Sequence, residues 1–421
     1  MRGKSSLPRG NDARILSCTE SLMKITLWGI NYSPELTGIA PFNAALCEYL
    51  SRRGHEVAVV TSFPYYPEWK KRPSDLGCAF RTEIRGGVHI YRCWLFVPRK
   101  VRALKRIVHE ASFIAMSLLR VLSLPRPDVF IVVSPPLLLG LAAWFAGVVK
   151  RSPFVYHVQD LQPDAAVGLG MLQKGLFTRF LYWVEAFAYA KAARVSGISP
   201  GMLEMFRNKN VPESKIVYFP NGVKLPANLP EPGFFRARHG IPSEVFLVVY
   251  SGNMGVKQGL DVLVRAAQLL SNGAGAGDAG ALDEPHFVDA RPVRFVIAGD
   301  GSMRARLAEL INHGSLKNVL LLPLQPDQFY REMMADADCT VITQQQGVGS
   351  YFFPSKLLAS LAAAKPVVTV ADESSELAHA VAGGRFGLNI PPNDPAALAR
   401  AIHSMALAAG TGTNGLTDQS V

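Results

Sequence analysis

Residues Phe246 to Leu270 read FLVVYSGNMGVKQGLDVLVRAAQLL. The run Phe246-Leu247-Val248-Val249-Tyr250 is uncharged and rich in β-branched side chains, which predicts a strand buried on both faces of a parallel sheet. Gly252, Gly255 and Gly259 follow in quick order. Leu260, Leu263, Val264, Ala267 and Leu270 then form an apolar stripe at helical spacing. A strand, a glycine turn and a helix start aim backbone N–H groups and a positive helix end at an anion. The spacing is neither G-x-G-x-x-G nor a Walker loop, which ends in G-K-[ST]. Two readings stay open for this stretch alone: a phosphate cradle, or a tight βα turn that needs glycine for steric reasons.

Outward from it, strand-like and helical runs alternate. Downstream, strands are expected at Val293–Ala298, Asn318–Pro323, Cys339–Thr343, Pro366–Val370 and Phe386–Ile390. Upstream, Lys24–Trp28, Glu56–Thr61, Val88–Arg92, Val129–Val133, Pro153–Val158, Arg194–Ser199 and Lys215–Phe219 form a similar series. Alternating βα units predict parallel sheets covered by helices. The expected layout is an N-terminal doubly wound domain over 23–225, a proline-rich linker over 226–243 and a second doubly wound domain over 244–405. Residues 1–22 read as a polar extension with Met23 as a natural start, 271–291 as a flexible insertion, and 406–421 as a tail. Ligands of such folds lie beyond the strand C-ends, here in a cleft that the two domains share. Val129 to Val149 carries no charge, but Pro135-Pro136 interrupts it. It reads as strand, turn and buried helix in preference to a membrane span.

Bulk composition narrows the function classes. The chain has 421 residues, 49% hydrophobic and 18% charged, enough apolar matter for large cores and unlike a disordered chain. Cys18, Cys47, Cys78, Cys93 and Cys339 are scattered without a C-x-x-C pair, which favours a reducing compartment and argues against a zinc site. The net charge of +11 suits an anionic partner. No pattern of a nucleic-acid-binding motif is present, so a nucleotide or an anionic membrane ranks above nucleic acid. Arg99–Arg126 holds seven Lys/Arg against one acid, Glu110, interleaved with Phe113, Ile114, Met116, Leu118, Leu119, Val121 and Leu122. It reads as a surface helix able to lie on anionic lipid, or as an ordinary amphipathic helix with a solvated basic face.

Candidate chemistry collects at strand ends. His157 could orient or polarise a hydroxyl, and Asp160 could accept a proton or bind a sugar hydroxyl. The structural alternatives are a satisfied strand-end histidine and a helix cap. The loop Gly29–Gly38, GINYSPELTG, could close over an acceptor. In the second half Lys356 falls in the first turn of a helix begun by Pro354-Ser355. A cation is misplaced there on dipole grounds unless an anion shares the site. Lys356 is therefore the first choice for a diphosphate contact and Lys257 the second. Phe295–Gly301 reads as mostly structural.

Tyr250-Ser251-Gly252-Asn253-Met254-Gly255 with Gln258-Gly259-Leu260 resembles the donor loop of the family-four glycosyltransferases of exopolysaccharide assembly. Asn221-Gly222-Val223, Gly299-Asp300-Gly301 and Pro354-Ser355-Lys356-Leu357 are similar to that family too, as are His157-Val158-Gln159-Asp160, Asp164-Ala165 and Gly168-Leu169-Gly170. The resemblance spans roughly Met23 to Ile402. It implies an α/β GT-B fold, two Rossmann-like domains facing across a cleft, with the acceptor in the first and a nucleotide-diphosphate sugar in the second. It implies transfer with retention of anomeric configuration and no cofactor or metal, the leaving diphosphate being held by N–H groups and lysine. The implied donor set is Ser251, Gly252, Asn253, Gly255, Lys257, Gln258, Gly301, Ser355 and Lys356. His157 and Asp160 would be catalytic, and Tyr32, Pro34, Gly38 and Asp164 would meet the acceptor. Two glutamates that much of the family carries near the donor correspond here to Tyr351 and Ala359. The family's loop arginine and lysine correspond to Asn253 and Gln258.

The expected activity is hexosyl transfer to a polyprenyl-linked saccharide, by a cytoplasmic enzyme peripheral on the inner membrane face. The alternatives are a nucleotide-sugar epimerase on the same plan, and a non-catalytic nucleotide-sugar-binding assembly protein.

Overall fold

The computed structural model describes residues 21–35, 38–100, 103–168, 170, 172–173, 175–223, 230–272, 290–347, 349 and 355–411. Most of the expected extension, of the insertion and of the tail, and the positions Tyr351 and Pro354, fall outside the described residues. The first domain runs β1 (Lys24–Trp28), α1 (Ala40–Arg52), β2 (Glu56–Ser62), β3 (Phe80–Arg85), β4 (Val88–Cys93), α2 (Ala103–Ser123), β5 (Val129–Ser134), α3 (Leu139–Lys150), β6 (Phe154–Val158), α4 (Gln162–Gly168), α5 (Leu176–Lys191), β7 (Arg194–Gly197), α6 (Pro200–Asn208) and β8 (Ile216–Tyr218). The second runs α7 (Phe234–His239), β9 (Phe246–Asn253), α8 (Asp261–Asn272), β10 (Val293–Asp300), α9 (Arg304–His313), β11 (Val319–Leu322), α10 (Asp327–Asp336), β12 (Cys339–Thr343), α11 (Lys356–Ala362), β13 (Val367–Val370), α12 (Glu376–Gly384), β14 (Gly387–Ile390) and α13 (Pro395–Thr411).

The first sheet is ordered β3-β4-β2-β1-β5-β6-β7-β8 and the second β11-β10-β9-β12-β13-β14. Every pairing in the second sheet is parallel. Both are covered by helices, so their central strands are apolar on both faces. Leu27, Val59, Ile90 and Val132 are fully buried in the first sheet, and Val248, Tyr250, Ile297 and Val368 in the second. Each such aliphatic side chain contributes roughly 1.5–3 kcal/mol by leaving water. The chain order reverses between β1 and β5 in one sheet and between β9 and β12 in the other. At such reversals the flanking loops diverge and leave a crevice at the strand C-ends.

Two expectations are corrected and one strand is added. Phe80–Arg85 is a strand, antiparallel to β4, that forms one edge of the first sheet. Its sequence FRTEIR carries three charges, because an edge strand with one solvated face need not be apolar. The stretch 226–243 is not linker throughout: α7 packs on the second domain, with Phe235 and Ile241 buried against Leu247, Val249 and Met333. Arg236 fixes it by an ion pair of 2.6 Å to Asp338. At the other end α13 continues to Thr411 and buries Ile402 and Ala406 against α8, so the second domain outlasts the expected boundary at 405. Val129–Val149 forms β5, a turn and α3 as expected. Among the described residues no helix is long and apolar enough to cross a membrane.

The domains also touch directly. Glu376, at the start of α12, accepts a hydrogen bond from the Gly201 N–H at the start of α6.

Candidate functional site

A cleft of about 1390 Å³ lies between the two sets of strand C-ends. Its second-domain wall starts where β9 meets β10. Gly252 has φ +134° and Gly299 φ +153°, regions that side chains rarely enter. The two glycines face each other in register, and a Cβ on Gly299 would strike the Gly252 carbonyl. The paired strands therefore continue beyond their apolar segments as bare backbone.

Lys356 lies on this surface. It opens α11, the helix after β12, and β12 neighbours β9 across the chain reversal. Its Nζ is 4.8 Å from the centre of the Tyr250 ring. A Cβ on Gly252 would lie 2.5 Å from Lys356 Cε, so the missing side chain makes the seat for the lysine. Burial, and after it the nearby Lys257 ammonium, together lower the Lys356 pKa to about 7. A cation held where its charge is costly is matched to an anionic ligand.

The turn between β9 and α8 is shaped by Gln258, whose Oε1 accepts from the Gly255 N–H at 2.9 Å. Gly259 at φ +59° turns the chain into α8. Asp300 Oδ1 accepts from the Gly301 N–H at 2.7 Å. Ser251, Gly252, Asn253, Gly255, Lys257, Gln258, Gly301, Ser355 and Lys356 all line the cleft. Gln258 is spent on its own loop. Ala359 lines the cleft as well.

The first-domain wall departs from expectation. Asp160 and Gly38 line the cleft. His157 does not: it is 3% exposed and stands behind the wall. Gln159 Nε2 donates to His157 Nε2 at 2.7 Å, so the ring proton sits on Nδ1 and is donated to Ser196 Oγ at 2.8 Å. Burial pushes the His157 pKa down to about 4, which keeps the ring neutral. The ring thus orients Gln159, which faces the cleft and exchanges hydrogen bonds of 2.9 and 2.8 Å with Asn221.

Tyr32 is also buried, in the core with Cys47, Val57 and Val59, and Pro34 does not line the cleft. Asn31 and Ser33 line the cleft, whereas Tyr32, whose carbonyl accepts from the Glu35 N–H to close a turn, packs inward. Asp164 is held by Lys209, which also pairs with the buried Glu185 at 2.5 Å. That cluster ties α4 and α5 to the end of α6 and lies away from the cleft lining.

Sequence reasoning missed several cleft residues. Glu35 is buried, and its Oε1 accepts from the Tyr65 and Tyr66 N–H groups at 2.9 Å each. Burial raises its pKa. Tyr65, Tyr66, Trp69, Arg106 and His109 line the same end. The run Phe63–Trp69, FPYYPEW, follows the C-end of β2, so the strand-end rule that found Asp160 could have found it too. Among the described residues no group of His, Cys, Asp and Glu is placed to hold a metal ion.

Comparison with known proteins agrees with this layout. Residues 37–222 match the glycosyl transferase 4-like domain, and residues 245–407 match glycosyl transferases group 1. The chain is 31% identical over 364 residues to the putative colanic acid biosynthesis glycosyl transferase WcaI of Escherichia coli K12, covering 84% of this chain and 85% of that protein. It is 27% identical over 259 residues to the probable glycosyltransferase WbjE of Pseudomonas aeruginosa, covering 59% and 58%. Similar solved structures include WaaG, a glycosyltransferase involved in lipopolysaccharide biosynthesis, with TM-score 0.64, 16% identity and 93% of each chain covered. Anabaena HepE in complex with UDP-glucose superposes with TM-score 0.59 and 15% identity over 94% of this chain and 96% of that one. With two parallel-sheet Rossmann-like domains in the GT-B arrangement, the chain belongs to the family-four glycosyltransferases.

Proposed function

We propose that this glycosyltransferase moves a hexosyl group from a nucleotide-diphosphate sugar to a lipid-linked saccharide, with retention of configuration, in exopolysaccharide assembly. The observation that carries the reading is Lys356 seated on Gly252 at the chain reversal of the second sheet. The diphosphate would lie against the Gly252–Gly255 backbone, with Lys356 and Lys257 facing it. As the glycosidic bond to the diphosphate breaks, negative charge grows on the departing oxygens. Both ammonium groups and the turn's N–H groups stabilise that charge, in a setting too poorly solvated to screen it. No step needs a metal or another cofactor. Asp160 faces the reacting sugar from the first domain, and Gln159 and Asn221 stand beside it as hydrogen-bonding groups set by His157. WcaI's name assigns it to colanic acid biosynthesis, and this chain's likeness to it supports exopolysaccharide as the product class.

The protein would work at the cytoplasmic membrane face. On α2, Leu104, Ile107 and Val108 are exposed beside Lys105 and Arg106, within the basic Arg99–Arg126 segment. α3 packs against both α2 and α5. Trp144 and Phe145 on α3, and Phe180 and Trp183 on α5, are exposed as well. Apolar side chains flanked by cations suit an anionic lipid surface.

A thermal-shift panel of nucleotide-diphosphate sugars tests the donor assignment. At least one should raise the melting temperature of the wild type and fail to raise that of Lys356→Met. A panel without any shift would remove the assignment.

A further inference from the structure

Two helices start face to face across the domain boundary. On the first-domain side is α6, capped by Ser199, whose Oγ accepts from the Met202 N–H at 3.3 Å. On the second-domain side is α12, capped by Ser375, whose Oγ accepts from the Ala378 N–H at 3.1 Å. Each helix brings its positive end to the other, an arrangement that repels unless an anion stands between them. Glu376 supplies that anion. Its Oε1 accepts from the Gly201 N–H, and the Ser199 hydroxyl bonds the same carboxylate. Gly201 makes the room: a Cβ there would strike Glu376 Oε1 and lie 2.9 Å from its Cδ. The missing side chain makes a seat for the carboxylate, as Gly252 does for Lys356.

Packing beside the bridge is incomplete. A cavity of about 140 Å³ adjoins it, walled by Ile198, Pro200, Tyr218 and Asn221 of the first domain and by Ser355 and Leu358 of the second. Both ends of the bridge lead to groups of the cleft. Ser199 stands three residues after Ser196, the hydroxyl that holds the His157 ring and through it Gln159, next to Asp160. At its far end α6 reaches Lys209, the ion partner of Asp164 on α4, and α4 follows directly on Asp160. In the second domain the loop from β12 to Lys356 rests on the turn before α12. The Gly347 N–H donates to Asp372 Oδ2 at 2.7 Å, and a Cβ on Gly349 would strike the buried Ser375.

We infer that Glu376 is a positioning residue for the transfer. Shared between two helix starts, its carboxylate fixes how far the Asp160 wall stands from Lys356, without touching substrate or the reacting atoms. A charge-assisted hydrogen bond of this kind is among the stronger contacts one side chain makes. Without it the cleft spends more time open, and only the closed fraction can react. The inference rests on the transferase reading above and adds to it what sets the width of the cleft.

Two substitutions break the contact from opposite domains. Glu376→Ala removes the carboxylate, and Gly201→Ala fills its seat with a residue that suits a helix. Small-angle scattering from each unliganded variant should give a larger radius of gyration than the wild type. The kcat for transfer from the best donor of the nucleotide-sugar panel to farnesyl-diphosphate-linked glucose should fall about tenfold, while the donor's thermal shift is kept. Glu376→Gln retains an oxygen that can accept from the Gly201 N–H and should recover most of the rate. The double variant should be no slower than either single one, because both break the same contact. Losses that multiply, a rate untouched by Gly201→Ala, or scattering unchanged in both variants would overturn the positioning role. Gly201→Ala carries the test should Glu376→Ala fail to fold, and the scattering comparison decides alone should the acceptor probe give no turnover. A wild type that shifts with no nucleotide-sugar would instead overturn the transferase reading.

Discussion

The two walls of the cleft are made of different material. The second-domain wall is backbone and cation: glycines that leave peptide groups bare, a turn braced by Gln258, and Lys356 lying on Gly252. The first-domain wall is side chain: Asp160, Gln159 held by His157, and rings from the turn after β2. On the proposed function, the contrast follows from what each wall binds. A diphosphate is common to many donors and needs charge and N–H groups, which bare backbone supplies. A saccharide acceptor differs from enzyme to enzyme and is read by shape, stacking and individually placed polar atoms.

If the division is right, substitutions on the two walls separate in kinetics. Lys356→Met should cost the most, about 10²–10³-fold in kcat/KM, because it removes a group aimed at charge that grows during bond cleavage. The KM for acceptor should stay put in initial-rate assays. The unliganded variant should also be more stable than the wild type. The folded-state pKa of Lys356, about 7, lies below its ordinary value of 10.5, so burying its charge costs most at low pH. That cost is relieved as pH rises from the folded toward the unfolded value. Lys356→Met should therefore raise the melting temperature by roughly 2–4 °C at pH 6 and by less at pH 9.

Asp160→Asn should lower kcat about 10²-fold with donor affinity intact, measured by the donor's thermal shift and by steady-state rates. Equal loss of donor binding would erase the division between the walls. Gly252→Ala should weaken donor affinity about tenfold, since the new methyl displaces Lys356 from its seat and strains a residue at φ +134°. His157→Ala should have the smallest effect, a loss of kcat of about 3–10-fold through a loosened Gln159. Because the ring is already neutral above pH 4, the pH–rate profile should keep its shape. A lost limb of that profile near neutrality would show His157 exchanging protons in the reaction.

The same contrast explains what the sequence disclosed. A βα turn is local: strand, glycines and helix follow one another around Ser251–Gly259, and Lys356 stands in the first turn of a helix in a second βα unit, so each could be placed from its own stretch of sequence. The first-domain wall is assembled from turns far apart in sequence, and local pattern does not say which side chain of a loop turns inward. Tyr32 and Asn31 are adjacent, yet one is core and the other cleft. The resemblance put Asp164 at the acceptor, and local pattern could not correct it because its ion partner, Lys209, lies 45 residues away. The edge strand β3 was hidden by its polarity, and α7 by the prolines around it.

The central claim is that Lys356 and the Gly252 turn grip a diphosphate. Titrating the wild type with its nucleotide-diphosphate sugar, in buffers of differing ionisation enthalpy, measures the protons taken up on binding. A lysine that is half-neutral near pH 7 and becomes fully charged against a diphosphate should draw in almost no proton at pH 6 and approach about one at pH 8. Lys356→Met should bind far more weakly and take up none. Undiminished affinity in Lys356→Met, or the same uptake in both proteins, would contradict the account.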